Sequence, residues 1–385
     1  MRLSSRGRVS PFIAMDVLAA ANRREAEGRP VYHLELGQPS TPPPPPVNAA
    51  ALAAIQSGST GYTEGLGLPE LRQRIARHYG ERFGLDVDPR RVVVTTGSSG
   101  GFLLAFLAAF DAGDKVALPR PGYPAYRNIL KALDLVPVDV PTGPQTQFHV
   151  TQERLEDCWR EAGGFQGLLI ASPNNPTGTV LGQGNIEQIA AFCRERQVQL
   201  ISDEIYHGIT YGGPAATALA ADDDAVVINS FSKYYCMTGW RVGWMVIPDE
   251  MVRMAECLSQ NFFVCAPTPA QRAAVAAFDC GEELDRLVHH YAQSRSRLLE
   301  ALAEGGITRI APADGAFYVY ADIGDISTDS MDFCARLLEE TGIALTPGVD
   351  FDPVAGGRFV RLSYAGNTAM IAEAAMKLKT WLKTG

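Results

Sequence analysis

Several things are missing from this sequence, and each absence removes a class of function. No apolar run approaches the length needed to span a bilayer, so a helical membrane protein is not expected. There is no stripe or cluster of Lys and Arg; the formal net charge is −9 and the pI about 5.3, which excludes the basic footprint of a nucleic-acid binder. The seven cysteines are scattered, odd in number and never in CxxC spacing. That pattern speaks against a zinc site and a disulfide framework, and for reduced thiols in a cytoplasm. No internal repeat is visible. A secretory leader is not indicated either: "MRLSSRGR" is basic and "VSPFIAMDVLAAA" apolar, but Asp16 interrupts the core and no small-x-small site precedes "NRREAEGRP". The stretch reads as an amphipathic helix.

What is present is a soluble globular composition, 46% apolar and 20% charged over 385 residues, long enough for two domains. "STPPPPPVNAA" at 40–50 reads as a stiff polyproline connector. From about 91 to 247, strands and helices alternate. "RVVVTTG", "KVALP", "LVPVDV", "GLLIASP", "VQLISDEIY" and "AVVINSFS" are strand-like and apolar throughout, as expected for a parallel sheet covered on both faces. After about 250 the pattern changes to long helices, then "GAFYVYADI", "SMDFCARLLEETG", "IALTPG" and "GRFVRLSYA". This predicts a smaller α+β domain, joined by the first forty-odd residues.

The strand ends carry the chemistry. Ligands in open α/β sheets bind beyond the carboxyl ends of the strands, and four such ends here offer polar groups. "TTGSSGG" opens a helix with glycines and serines, which suits a phosphate, or makes a tight turn. "ASPNNPTG" holds an amide at a strand end, in an extended conformation imposed by Pro176. "SDEIYHG" puts Asp203 at the end of an apolar strand, where a carboxylate needs a cationic or protonated partner. "SFSKYYCMTGWRVGW" brings Lys233 with Arg241 eight residues on. A lysine near a cation in partly apolar surroundings has a lowered pKa and can act as a nucleophilic amine. An amine, an acid, an amide and a phosphate cradle are the parts that pyridoxal phosphate requires.

With these motifs in order, and with "LELGQP", "GYTEGLGLPELRQRIARHY", "PRPGYPAY" and "RFVRLSYA" besides, the chain resembles the fold-type I pyridoxal phosphate aminotransferases of the class I/II, aspartate aminotransferase-like group. The resemblance implies an α/β fold: a large domain (46–280) with a mostly parallel central sheet sandwiched by helices, plus a smaller α+β domain from both chain ends (1–45 and 281–385). It implies pyridoxal 5′-phosphate as cofactor and no metal. Lys233 would bond to the cofactor and move the substrate α-proton, Asp203 would hold the pyridine nitrogen protonated, and Asn175 and Tyr206 would bond the phenolic oxygen. Tyr123 would stack on the ring. Gly97, Ser98, Ser99, Ser230 and Arg241 would hold the phosphate, while Ser232 is structural. Arg361 would grip the substrate α-carboxylate, helped by Asn175 and the Gly37 N–H, with Arg358 on the opposite strand face and solvated. Tyr62 would reach the phosphate of a neighbouring subunit, which makes the enzyme a homodimer with a shared site.

The activity implied is ping-pong transfer of an amino group from an L-amino acid to a 2-oxo acid, with 2-oxoglutarate the expected acceptor. Two other readings compete. A β-lyase or aminocyclopropane carboxylate synthase-like enzyme would share Lys233 and Asp203. A non-catalytic pyridoxal phosphate-binding module would need a fused DNA-binding domain, for which about thirty residues before "LELGQP" are too few. A nicotinamide dehydrogenase is disfavoured because "TTGSSGG" lacks GxGxxG spacing. Phe12, Ile13, Phe262 and Phe263 are candidates for an apolar pocket wall.

Overall fold

The computed structural model describes residues 3–384. Its centre is a seven-stranded sheet. The strand order is Val92–Thr95, Gly243–Val246, Val226–Ser230, Gln199–Asp203, Gly167–Ala171, Lys115–Arg120, Val136–Pro141. All neighbouring pairs are parallel except those made by Gly243–Val246, which runs antiparallel to both of its neighbours. The apolar runs show no alternation because both faces are buried. Val92 and Val94, Leu168 and Ile170, Leu200 and Val227 enter one core cluster, while Val93, Leu169, Ile201, Val226 and Ile228 enter the cluster on the other face. Successive side chains on a strand point oppositely, so full burial removes the polar positions that would otherwise mark period two.

Helices cover both faces. The helix Gly97–Ala109 lies against the sheet so closely that a Cβ on Gly101 would meet Ile228 Cγ2 at 3.1 Å and Met245 Cγ at 3.3 Å. The glycine-rich helix start therefore gains close packing, which offsets the propensity loss of about 0.5–1 kcal/mol per glycine. Two elements are not apparent in the sequence pattern: the helix Gln152–Ala162 and the four-residue strand Gly243–Val246. The proline run is only in part a connector, for Pro42–Pro44 are extended and Pro45 begins the helix Pro45–Gln56. Proline is tolerated in a first helical turn, whose N–H groups have no intrahelical acceptor.

A third apolar cluster gathers residues from both chain ends. A three-stranded antiparallel sheet is ordered Thr346–Pro347, Phe359–Ser363, Tyr318–Asp322. The short strand Tyr32–His33 pairs with Ile343–Ala344, tying the two ends together. The long helix Gly281–Glu304 joins the bodies, with Leu284 in the first cluster and Tyr291, Leu298 and Leu302 in the third.

Candidate active site

A cavity of about 590 Å³ lies between the carboxyl ends of the central strands and the chain-end body. The register explains why its polar residues meet. Ala171 is paired with Asp203 and Asp203 with Ile228, so the three parallel strands end side by side and the segments that follow them converge. Asn175, Asp203, Tyr206 and Lys233 all line the cavity.

Asp203 is buried and its carboxylate is held at both oxygens. The Tyr126 hydroxyl donates to Oδ2, and the Ile205 N–H donates to Oδ1 at 3.0 Å. Burial pushes its pKa up to about 6, against the pull of these hydrogen bonds and of Lys233. Lys233 shows the reverse. Burial, then the nearby Arg361 and Arg241, bring its pKa down to about 8, which makes the neutral amine accessible. Its Nζ donates to the Gly37 carbonyl at 2.6 Å. Gly37 thus meets the lysine through its C=O, and a Cβ there would overlap the Tyr318 ring.

The Tyr206 hydroxyl is 2.7 Å from the Tyr318 hydroxyl. Tyr318 is also the platform for Arg361, whose guanidinium lies 4.5 Å from its ring centroid. Arg361 is buried and donates to Asn175 Oδ1 and Thr346 Oγ1, at 3.0 Å each, and to the Glu35 carbonyl. Its Nε has no partner among the described residues. Tyr126, Tyr318 and Thr346 escape sequence reasoning. The second tyrosine of "PGYPAY" was the visible signal for Tyr126, whereas nothing local marks Thr346.

At the other end of the cavity are Ser98, Ser99 and Arg241. Gly97 has φ 64° and Arg241 φ 54°, both left-handed. A Cβ on Gly97 would strike the Arg241 guanidinium, so only glycine lets the arginine close over the helix N-terminus. The two serines differ in their surroundings, and Ser232, expected to be structural, is the one at the cavity surface. Ser232 lines the cavity, while Ser230, the last strand residue, lies behind it and bonds Ser232 Oγ at 2.9 Å and the Val242 carbonyl at 3.2 Å. Tyr123 lines the cavity edge-on to Phe12, ring centroids 5.7 Å apart. Tyr62 is 86% exposed and stands apart from the cavity lining.

Some placements differ from the sequence reading. Of the four proposed wall residues only Phe12 lines the cavity, joined by Ala14 and Met15. Phe262 is exposed, and Phe263 packs on the core behind Gly100. Arg358 is not simply solvated: it makes a two-point ion pair with Asp322, at 3.1 and 2.8 Å. It precedes the strand Phe359–Ser363 in a short helical turn, which directs it away from Arg361.

The pattern of the family Aminotransferase class I and II matches residues 29–378. The chain belongs to this family. It is 50% identical to the valine–pyruvate aminotransferase of Mycobacterium tuberculosis over 386 aligned positions, covering 99% of this chain and 98% of that one. A crystal structure of an aminotransferase from the same organism superposes with a TM-score of 0.97, at 49% identity and full coverage of both chains. The aspartate aminotransferase of Thermus thermophilus, solved with maleate, superposes with a TM-score of 0.92 at 31% identity, covering 99% of this chain and all of that one. This aminotransferase therefore has the fold-type I architecture and the pyridoxal phosphate cofactor of its family. The lining fits that group: a low-pKa amine, a buried carboxylate, paired amide and phenol donors, and a glycine-serine helix start under an arginine. Among the described residues no cluster of His, Cys, Asp and Glu could hold a metal, and no helix is long and apolar enough to cross a membrane.

Proposed function

We propose that this enzyme transfers the amino group of an aliphatic L-amino acid, valine foremost, to pyruvate, with Lys233 as the residue that moves the proton. The observation that carries the donor and acceptor is the charge of the lining. Within one protomer its cations are Lys233, Arg241 and Arg361, and its apolar lining includes Phe12, Ala14, Met15 and Leu36. Arg361 suits one carboxylate, and the wall suits a hydrocarbon side chain. A dicarboxylate such as 2-oxoglutarate would bring a second charge against that wall. The relative named for valine and pyruvate supports the same choice.

When bound, pyridoxal phosphate supplies the electron sink that lets an α-proton leave the substrate. The chain's residues do the rest. Arg241, Ser98, Ser99 and the Gly97 helix start would hold the phosphate, with Ser230 and Ser232 at the strand end beside them. Asp203, fixed by Tyr126, would keep a proton on the pyridine nitrogen. Asn175 and Tyr206 would donate to the phenolic oxygen, and Tyr123 would cover the ring. Arg361 grips the α-carboxylate with Asn175 and the Gly37 N–H beside it, so that the α-carbon faces Lys233 Nζ. The neutral amine of Lys233 takes the α-proton and returns it, the two-way step a transaminase needs. A lyase would release ammonia without an acceptor.

Two further points belong to this reading. The exposure of Tyr62 is compatible with its reaching the phosphate of a second copy, and in this reading the working unit is a homodimer, with a large domain of 46–280 and a small domain from 1–45 and 281–385. The seven free cysteines suit a reducing cytoplasm. The test is a steady-state panel of L-amino acids against pyruvate and 2-oxoglutarate. Valine with pyruvate should have the highest kcat/KM; a clear preference for 2-oxoglutarate with aspartate would overturn the proposal.

A further inference from the structure

The helix Ile13–Ala26 begins without a local cap. Its N-cap residue is Phe12, and no side chain there accepts a hydrogen bond. Instead the N–H groups of Ile13 and Ala14 donate to the two carboxylate oxygens of Asp350, at 3.1 and 3.2 Å, from more than three hundred residues away. These are two of the four donors that a helix start leaves without an intrahelical acceptor, and the carboxylate also meets the positive end of the helix dipole. Asp350 is itself buried and closes the short turn Gly348–Asp350. That turn is tightly fixed, because a Cβ on Gly348 would lie 2.5 Å from the carbonyl oxygens of Gly356 and Phe359.

The residues anchored in this way are the cavity wall. Phe12, Ala14 and Met15 all line it. Four residues before Asp350, Thr346 accepts from Arg361 at 3.0 Å. One short segment thus holds the arginine at one point and the apolar wall at another.

We infer that Asp350 is a specificity-determining positioning residue. Its two-oxygen cap on the helix Ile13–Ala26 sets the distance between Arg361 and the wall of Phe12, Ala14 and Met15, and hence the size of donor side chain that is held. The inference rests on the aliphatic-donor reading above. Loss of the Asp350 charge also acts on Arg361, but that effect falls on the α-carboxylate, which all donors share. The discriminating quantity is therefore a ratio between donors.

The experiment compares wild type, Asp350→Ala, Asp350→Asn and Phe12→Ala as the cofactor-loaded enzyme. The donor half-reaction is followed with L-valine and with L-alanine, and binding of the unreactive 3-methylbutanoate and propanoate is measured by calorimetry. Asp350→Ala should lower the valine-to-alanine preference about tenfold, the scale of one or two methyl groups in an apolar pocket. The loss should fall in the half-saturating concentration rather than in the maximal rate, and the calorimetric preference should fall equally. Asp350→Asn keeps one acceptor oxygen and should lie between. Phe12→Ala removes the wall without touching the cap and should lower the ratio in the same direction. The inference is overturned if Phe12→Ala lowers the ratio while both Asp350 variants keep it, or if both donors weaken alike. Should Asp350→Ala fail to fold, a wild-type ratio in Asp350→Asn is the overturning result. Failure of wild type to use valine would sink the donor reading alone; the same ratio between the largest and smallest accepted donors then decides the cap.

Discussion

The two walls of the cavity are built in opposite ways. The cofactor-side wall is assembled from neighbours: three adjacent parallel strands end in register, and Asn175, Asp203 and Lys233 follow within a few residues of those ends. The substrate-side wall is assembled from strangers. Arg361 is held by Thr346, its partner across a strand pair, but also by the distant Glu35 and Asn175, and the helix Ile13–Ala26 is held by Asp350. The first arrangement is fixed by strand pairing and tolerates little change. The second has the strand pairing of Arg361 with Thr346, but its apolar part depends on a few long-range hydrogen bonds, which leaves that part freer to shift. A side chain on the first wall should therefore govern rate, and one on the second should govern how tightly substrates are held, with the choice among them left to its apolar part.

The comparison can be broken most severely at Lys233. Lys233→Ala should retain cofactor but lose the visible band that depends on the amine, and lose turnover by about 10⁴-fold or more. Transamination near the wild-type rate would remove Lys233 from its assigned role. Next is Asp203→Asn, in which an amide can no longer hold a proton on the pyridine nitrogen by its charge. The maximal rate should drop on the order of 10²–10³-fold with little change in donor KM; a change confined to KM would move Asp203 to the substrate side. Arg361→Lys should do the opposite, raising KM for every amino acid by about ten- to a hundredfold, because an ammonium cannot make the forked contact. A fall in maximal rate with unchanged KM would contradict the division.

The smallest effect concerns two acids adjacent in sequence. Asp203 faces the cavity, while its neighbour Glu204 is buried and takes hydrogen bonds at Oε1 from Ala218 N at 2.8 Å and from Thr217 and Ser202 hydroxyls at 3.1 Å. Burial pushes the Glu204 pKa up to about 8 from an ordinary 4.5. The folded chain thus keeps a proton that the unfolded chain releases above the ordinary value. The stability this group contributes is full below pH about 4.5 and is lost as pH rises through about 8. Glu204→Gln, a neutral mimic, should flatten the decline of Tm between those values and leave transamination within about twofold. An unchanged Tm–pH slope would place the proton elsewhere.

The same contrast explains what was legible in the sequence. A strand buried on both faces is a continuous apolar run, so Asp203 and Lys233 stand out at its end, and six of the seven strands could be read. The seventh, Gly243–Val246, is four residues long and follows directly on the Lys233–Arg241 motif, whose polar residues mask it. The helix Gln152–Ala162 sets Leu155, Cys158 and Trp159 at helical spacing over only 11 residues, a short stripe within a mostly polar run. Tyr318, Thr346 and Asp350 were invisible for a different reason. Their importance lies in what they touch, and those partners are brought near by strand pairing in the three-stranded sheet and, for Asp350, by the packing of the two chain ends. The different placement of Ser230 and Ser232 reflects the strand end itself: the last strand residue still faces its neighbour's backbone, and the second one beyond it is free to turn into the cavity.

The most direct test of the account is a two-step absorption experiment on the cofactor-loaded enzyme. L-valine is added in the absence of any 2-oxo acid, the excess is removed, and pyruvate or 2-oxoglutarate is then titrated in. The account predicts that valine bleaches the visible band and that pyruvate restores it at a much lower concentration than 2-oxoglutarate. A band that valine leaves unchanged, or one that 2-oxoglutarate restores as readily as pyruvate, would contradict it.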